Sequence, residues 1–531
     1  MMRTLLSLLW LAASPAPAAS AGQPVVKPPA VAPTSPPAGS APAQQAAPAA
    51  PTRAAAHAAP PQAAPVKPAP AAAPPPPEPV APADADQRMD RGLELLHAKE
   101  KAHGAAVLYS LYAALPETDL RRDAAAFRLA GALVDLGFVQ AGIEYYLEGL
   151  AGRRSPELLG KTLAALKPLY ERGLVEEWRF LDGVIYSAQY GDLDPEVAEF
   201  IEYLQALGDL RLGFSMWGRS RLETLATTDR MYGWRARYLL AVERIQQRND
   251  EGAEKLLRQI LDASASPADV RTVAALALAR ILYERKSYDE AFTYYSQVHL
   301  PLVEQDLVLL ERAWDRVGAE DQQRALGMVV GLGAPIFRRL FAPERELIRA
   351  LALRKLCQYR LAHMVVREFH DRYGALVRKA RDRAGLREDP SIVEWASWGT
   401  RLAGFARMRT RLQTETGLIG SLSYDELQDH LRSLYAARLA FVEGNVRRGL
   451  NHAIEHVVDE LLRVNEQMDL IDYEIGAGLV KPGTKQGAAK VTARTGALPY
   501  GSPQVFFPFD GEFWSDELND FAVLADDRCL R

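Results

Sequence analysis

The sequence predicts an all-α protein: helical hairpins stack into a superhelix, long coiled-coil-like helices follow, and a disordered Pro/Ala-rich segment comes first. Three observations predict this class. Amphipathic helical patterns recur at intervals of about 34 to 38 residues, small residues recur in pairs twelve positions apart, and alternating strand patterns are not found. Each element is considered below in chain order.

Residues 1–21 have the pattern of a secretory signal peptide. Arg3 precedes the apolar run TLLSLLWLAA, and small residues lead up to Gly22, before which cleavage is expected. A retained membrane anchor is the alternative, although the run is shorter than the ~20 residues that a spanning helix needs. No Cys follows the run, which argues against a lipoprotein anchor. The sequence therefore predicts a periplasmic protein.

Residues 22–86 are predicted to be a disordered tether. Twenty of these 65 residues are Pro, most of the others are Ala, and Leu, Ile and aromatic residues are absent. Such a segment cannot bury a core, and its proline content favours extended polyproline-II conformations. It could let the folded body reach across an envelope compartment or peptidoglycan, or it could be a passive linker.

Residues 87–385 are predicted to form the repeat array. The clearest unit is 271–301, RTVAALALARILYERKSYDEAFTYYSQVHLP, which reads as two amphipathic helices joined by a tight turn and stopped by Pro301. Small residues twelve apart allow two helix axes to approach closely. A double-length gap before Ala206 predicts a degenerate repeat near Pro168. The pairs are Ala130 and Gly142, Ala206 and Gly218, Ala241 and Ala253, Ala279 and Ala291, and Ala313 and Ala325.

This pattern resembles the tetratricopeptide repeat, a helical hairpin of about 34 residues. The matching positions include Leu278-Ala279, Tyr288, Ala291, Tyr295 and Pro301. Arg244 and Arg316 depart from it, since they stand where the family is usually apolar. The resemblance implies a superhelix whose concave groove holds a peptide or helix of another protein.

A basic stretch precedes an acidic end. Residues 338–383 hold thirteen Lys or Arg and five acids, while 508–527 hold seven acids, no base and four large aromatic residues. A solvated helical face is the ordinary interpretation of a basic run. Complementary charge nevertheless predicts that the tail, 508–531, folds back on this surface, and that Cys357 bonds Cys529 rather than both remaining free thiols. The first basic residues are Arg338, Arg339, Arg345, Arg349, Arg354 and Lys355.

Residues 386–480 are predicted to form long helices. From Ser423, an N-cap with Glu426 three residues on, the chain reads as one or two helices ending near Gly478. An apolar seam from Val446 to Ile475 steps by threes and fours, as in a coiled coil. It could pack on helices of the same chain, including the one around 395–412, or pair with another copy, with Gly444 and Gly449 inviting a break. Residues 481–507 are predicted to be a flexible linker.

One motif has the form of a catalytic site. His452, Glu455 and His456 fit H-x-x-E-H, in which two histidines on one helix face bind zinc and the glutamate activates water. The flanking Gly449 and Leu450 resemble pitrilysin-like peptidases, but no third ligand is evident and the motif interrupts a heptad seam. Coincidence on a helix surface and adventitious metal binding are the alternatives. We therefore expect no enzyme and no cofactor.

The function predicted from these features is a scaffold that binds envelope proteins. A net charge of −4 gives no field that would favour nucleic acid, and no apolar run after residue 21 is long enough to span a membrane. The stretch ALRKLCQYRLA and the tail motif FPFDGEFWSDEL also resemble envelope repeat proteins of gliding and predatory delta-type proteobacteria, some of which belong to gliding-motility machinery. This resemblance implies a periplasmic scaffold that works with envelope partners in a motility- or envelope-related assembly. A structural cell-wall spacer that oligomerises through 423–478 is the alternative.

Overall fold

The computed structural model describes residues 82–152, 155–181, 193–298, 302–334, 337, 341–397, 400–480 and 521–529. These residues form helices, turns and one irregular C-terminal segment, with no strand among them. Five predictions lie largely or wholly outside this part of the chain: the signal peptide, the tether up to residue 81, Pro301, the linker 481–507 and tail residues 508–520.

Seven regular helical hairpins make up most of the body. They are α1 (Pro82–His97) with α2 (Lys101–Ala114), α3 (Leu120–Asp135) with α4 (Val139–Gly152), α7 (Pro195–Arg211) with α8 (Ser215–Leu225), α9 (Met231–Gln246) with α10 (Asp250–Asp262), α11 (Ala268–Glu284) with α12 (Tyr288–Tyr295), α13 (Leu302–Gly318) with α14 (Gln322–Gly331), and α15 (Glu344–Lys355) with α16 (Tyr359–Asp382). Between α4 and α7 lie α5 (Pro156–Glu171), which contains Pro168, and the four-residue α6 (Trp178–Leu181). The first helix begins at Pro82, inside the segment predicted to be tether.

The two helices of each hairpin are joined by the same three-residue turn. Its middle residue is left-handed, which ends the first helix and lets the third residue donate back to that helix. Phe138 N donates to Leu133 O over 2.8 Å, and Phe214 N donates to Asp209 O over the same distance. The backbone of each turn is therefore equivalent from hairpin to hairpin. The middle residues, with φ between 56° and 91°, are Lys99, Gly137, Gly213, Arg248, Lys286, Glu320 and Cys357.

The small residues spaced twelve apart lie where paired helices meet. A Cβ added to Gly142 would stand 2.7 Å from Ala130 O, and one added to Gly218 would stand 2.9 Å from Ala206 O. The six alanines of the next three pairs are fully buried. The same spacing joins Gly92 to Gly104 and Ala350 to Ala362 in the first and last hairpins, which our sequence reasoning missed.

Two glycines of α4 test this close approach. We expect Gly142→Ala to destabilise the protein by about 1 to 2 kcal/mol, because overpacking against the Ala130 carbonyl exceeds the gain in helix propensity. Gly149→Ala should instead stabilise by up to about 1 kcal/mol, because no atom lies within 4 Å of its added Cβ. Urea unfolding of both variants provides the measurement. A shift of the same sign in both would contradict the interpretation.

The C-terminal helices are α17 (Pro390–Ser397), α18 (Thr400–Leu418), a 3₁₀ turn at Ile419–Ser421 and the 56-residue α19 (Asp425–Val480). Our N-cap prediction was wrong by one residue: α19 begins at Asp425, and Tyr424 O accepts the first helical bond, from Gln428 N. Gly444 and Gly449 cause no break. A Cβ on Gly449 would stand 2.8 Å from Leu402 Cδ2, so this glycine lets α18 pack closely on α19.

The apolar seam of α19 packs within the chain. Its C-terminal part, Leu461 to Ile475, lies in one core with Leu353 of α15 and Phe369 of α16, and Val457 lies with Ile392 of α17. The N-terminal part of α19, which precedes the seam, reaches the first hairpins. His430 Nε2 lies 2.8 Å from Tyr145 Oη of α4, and its ring centroid lies 4.7 Å from that of Tyr109 of α2. Burial lowers the pKa of His430 and favours the neutral ring.

Candidate protein-interaction surface

The histidine motif lies on the solvent face of α19. His452, Glu455 and His456 have side chains that are 76%, 64% and 61% exposed. His452 Nδ1 is 3.7 Å from Glu455 Oε2, and His456 Nδ1 is 3.8 Å from Glu460 Oε2. Within the described residues, no group of three or more His, Cys, Asp or Glu side chains is placed to hold a metal ion. The structure thus offers the motif no further ligand in that part of the chain.

Four described residues at the start of the basic surface, Arg345, Arg349, Arg354 and Lys355, are engaged by the body itself. Arg345 donates to Glu346, Arg349 pairs with Glu346 and Glu368, and Lys355 Nζ donates to Val317 O over 3.2 Å. Arg354 Nη1 lies 3.0 Å from Glu474 Oε2 of α19. Arg338 and Arg339 lie outside the described residues. The Arg354 contact thus ties α15 to α19, while the other three residues bind within the repeats.

Residues 521–529 form neither helix nor strand and lie across α14 and the α15–α16 turn. Val523 N donates to Gln323 O over 3.0 Å, and Arg528 N donates to Leu356 O over 3.0 Å. The amide of Gln358 donates to Asp526 O over 2.6 Å. Beside this bond, a disulfide joins Cys357 to Cys529, with Cα atoms 5.0 Å apart. The bonds that fix the segment thus use backbone and amide groups, whereas our reasoning from sequence had relied on charge.

Charged side chains also form ion pairs between the first helices of successive hairpins. Arg280 of α11 donates to Glu311 of α13 through Nε over 2.9 Å and through Nη2 over 2.8 Å, and both side chains are less than a fifth exposed. Arg235 of α9 pairs with Asp269 of α11 over 3.4 Å. These two pairs therefore bind neighbouring repeats to each other.

The turn between α3 and α4 is covered by α18. Glu415 Oε2 accepts a 2.8 Å bond from Gln140 N, in the first turn of α4, and a second from the hydroxyl of Tyr435. A Cβ placed on Gly137 would lie 3.6 Å from Leu418 Cδ1. Burial raises the pKa of Glu415 in spite of these hydrogen bonds. A carboxylate and an apolar residue three positions later thus hold a helix on this turn.

The same helix continues to the turn after α5. Arg411 Nη1 donates to Gly173 O over 2.9 Å, and Gly173 is again left-handed, with φ 65°. The side chain of Gln140 donates to Leu174 O over 3.0 Å and links the two turns. One helix therefore spans the turns of two successive repeats.

The turn between α7 and α8 carries the same Leu-Gly-Phe sequence and is exposed. The exposed fractions are 58% for Leu212, 56% for Phe214, 78% for Met216 and 66% for Trp217, and the rings of Phe214 and Trp217 lie 6.3 Å apart. We call these four residues the exposed turn. Four large apolar side chains within six residues are uncommon on a protein surface without a binding role.

The equivalent residues of the α3–α4 turn show how unusual this exposure is. Phe138 and Gln140, which correspond to Phe214 and Met216, are each 1% exposed. Ala141, which corresponds to Trp217, is fully buried. The exposed turn therefore has the backbone of a covered turn and larger apolar side chains.

The surroundings of the exposed turn are electrically balanced. Arg219 is paired with Glu243, and Arg221 lies 2.9 Å from Glu202 and 3.0 Å from Asp209. No side chain caps the N terminus of α8, where Phe214 occupies the N-cap position. The surface can therefore bind an apolar side chain and accept a carboxylate at the helix N terminus. Our sequence reasoning noted the Leu212-Gly213 turn but not the aromatic residues after it, where other repeats have Asn249, Ser287 or Asp321.

One comparison with known proteins gives a match. Residues 223–301 match the family model described as tetratricopeptide repeat-like domain. This region includes α9 to α12, directly after the exposed turn. No curated protein matches the chain. The resemblance of the tail to envelope proteins of delta-type proteobacteria finds no support in these comparisons.

Proposed function

We propose that this helical-repeat protein of the tetratricopeptide type is an exported scaffold that binds a segment of another envelope protein through the exposed turn. The exposed apolar side chains carry the proposal, because they occupy a position that α18 covers elsewhere in the same chain. No helix of the described residues is long and apolar enough to cross a membrane.

Export and an envelope process extend this proposal. The pattern of residues 1–21 supports transport out of the cytoplasm, and a disulfide between Cys357 and Cys529 suits an oxidising compartment. A mature chain beginning at Gly22, found by N-terminal sequencing of protein from the native cell, would agree with export. A role in motility rests on the resemblance of ALRKLCQYRLA and the tail motif alone.

Site-specific crosslinking tests the binding function. A photoreactive benzoylphenylalanine at position 217 of the full-length chain, expressed in its native cell, should yield one or a few discrete adducts with other proteins. Tyr473 on α19 provides the matched control, because it is an aromatic residue that is 78% exposed. The same adducts from both positions, or none from position 217, would contradict the proposal.

A further inference from the structure

The covered and exposed turns are built alike. In both, the third turn residue donates to a carbonyl five residues earlier, and its own carbonyl accepts from the buried glycine of the second helix, Gly142 or Gly218, over 3.0 and 3.1 Å. The two turns therefore offer a ligand the same left-handed glycine, the same phenylalanine position and the same helix N terminus.

The covered turn shows what such a site binds. α18 supplies Glu415 to the amide of Gln140 and Leu418 to the surface of Gly137. It crosses the next turn at Gly173 through Arg411. The α7–α8 turn belongs to the repeat that follows Gly173 along the chain, so the exposed turn extends a row of which α18 already covers two members.

We propose that the occupant of the exposed turn is an α-helix of a partner protein that carries a carboxylate followed three residues later by a large apolar residue. The carboxylate accepts a hydrogen bond from Met216 N, as Glu415 accepts one from Gln140 N. The apolar residue packs on Gly213 and Phe214, and Met216 and Trp217 contact the flank of the helix. This inference rests on the proposed binding function and adds the conformation and chemistry of the ligand.

The larger side chains of the exposed turn agree with an occupant from outside the chain. At the covered turn α18 contacts Gln140, the next residue is the small Ala141, and α18 is held in place by the chain itself. A separate helix has no such connection and loses translational and rotational entropy when it binds. It therefore needs a larger apolar contact area at the exposed turn. Trp217 and Met216 provide this area, and tryptophan is enriched among residues that dominate binding energy.

The chain provides a defined probe for the test. The peptide FARMRTRLQTETGLIGSL, residues 405–422, contains Glu415 and Leu418. A hydrocarbon staple between positions 409 and 413, both exposed on α18, would hold it helical, because isolated helices of this length are marginal in water. Its binding to the full-length protein is measured by fluorescence anisotropy of an N-terminal label.

We expect saturable binding that the double variant Phe214→Ala and Trp217→Ala weakens at least about tenfold. A peptide with Glu415→Gln should also bind about tenfold more weakly, because a charge-assisted bond is lost. The variant Leu470→Ala and Tyr473→Ala, at exposed positions of α19, should bind as the unchanged protein does. Circular dichroism checks that each variant is folded.

Three results would overturn the inference. The first is an absence of peptide binding. The second is equal binding to the unchanged protein and to the double variant, which would place the peptide on the α3–α4 turn. The third is a self-associated protein that the double substitution dissociates, which would assign the exposed turn to a second copy of the chain. Discrete crosslinks from position 217 together with any of the first two results would leave the scaffold function standing and reject only the helical ligand. Absent crosslinks would reject the scaffold function itself.

Discussion

Replacing Cys357 and Cys529 by serine should lower the free energy of unfolding by up to about 5 kcal/mol. The disulfide closes a loop of 172 residues, so it removes much conformational freedom from the unfolded chain. The full loss requires that residues 521–529 stay docked without the bond, and a smaller loss indicates that they leave the surface. Urea unfolding gives the energy, and amide exchange at Val523 and Arg528, whose amides donate to the repeats, reports the docking.

A second variant separates the covalent bond from the docking. A Cβ on Gly327 of α14 would stand 2.1 Å from Phe521 O, so Gly327→Ala should release the start of the docked segment while the disulfide remains. Exchange at Val523 should then accelerate, with less effect at Arg528. Equal exchange in all variants would contradict the docked arrangement, and non-reducing peptide mapping that found two free thiols would contradict the disulfide.

Removing the carboxylate that holds α18 should have an effect of similar size. Glu415→Ala leaves the amide of Gln140 and the hydroxyl of Tyr435 without their acceptor, and Tyr435 is fully buried. Two lost bonds to a charged group, with two donors left unsatisfied, should cost about 3 to 5 kcal/mol. Glu394→Ala on α17 provides a comparison at an exposed glutamate. Urea unfolding measures both, and equal losses would contradict the role of Glu415.

The pH dependence gives a second readout for the same residue. Burial raises the pKa of Glu415, so the folded state binds its proton more tightly than the unfolded state does. The stability contributed by this group is therefore present at low pH and declines as pH rises through the folded pKa. Stability measured relative to Glu415→Gln should accordingly fall with increasing pH. If this difference in stability instead increased with pH, the hydrogen bonds to the carboxylate would outweigh the effect of its burial on the pKa.

The repeats could be predicted from sequence because their signals are local. Ala279 and Ala291 reveal a close helix contact through spacing alone, and Gly137 and Gly213 mark the turns through their backbone freedom. The same spacing was present at Gly92 and Gly104 and went unrecognised. The position of the α19 N terminus was missed because Ser423 fits a capping box, whereas the preceding 3₁₀ turn places Tyr424 at the cap.

The candidate surface could not be predicted in this way. Heptad periodicity predicted that Val457 and Leu461 pack on another helix. It did not predict that they pack on α15, α16 and α17, because those contacts depend on long-range packing. Likewise, acidic and basic runs suggested that the tail docks, while the described contacts use Gln323, Gln358 and backbone groups. Composition thus indicates that a segment packs on another part of the chain, but the tertiary structure determines which side chains and backbone groups contact each other.

The sequence by itself determined the helical hairpins, because twelve-residue spacing and left-handed turns act through the local backbone. Only the tertiary structure decided which turns are open. Leu136-Gly137-Phe138 and Leu212-Gly213-Phe214 have identical sequences, yet Phe138 is 1% exposed and Phe214 is 56% exposed. One contact that covers the first of these turns comes from Glu415, which is 275 residues from Gln140 along the chain and 2.8 Å from it in space. Such a contact depends on where α18 docks, and no local pattern around either turn encodes it.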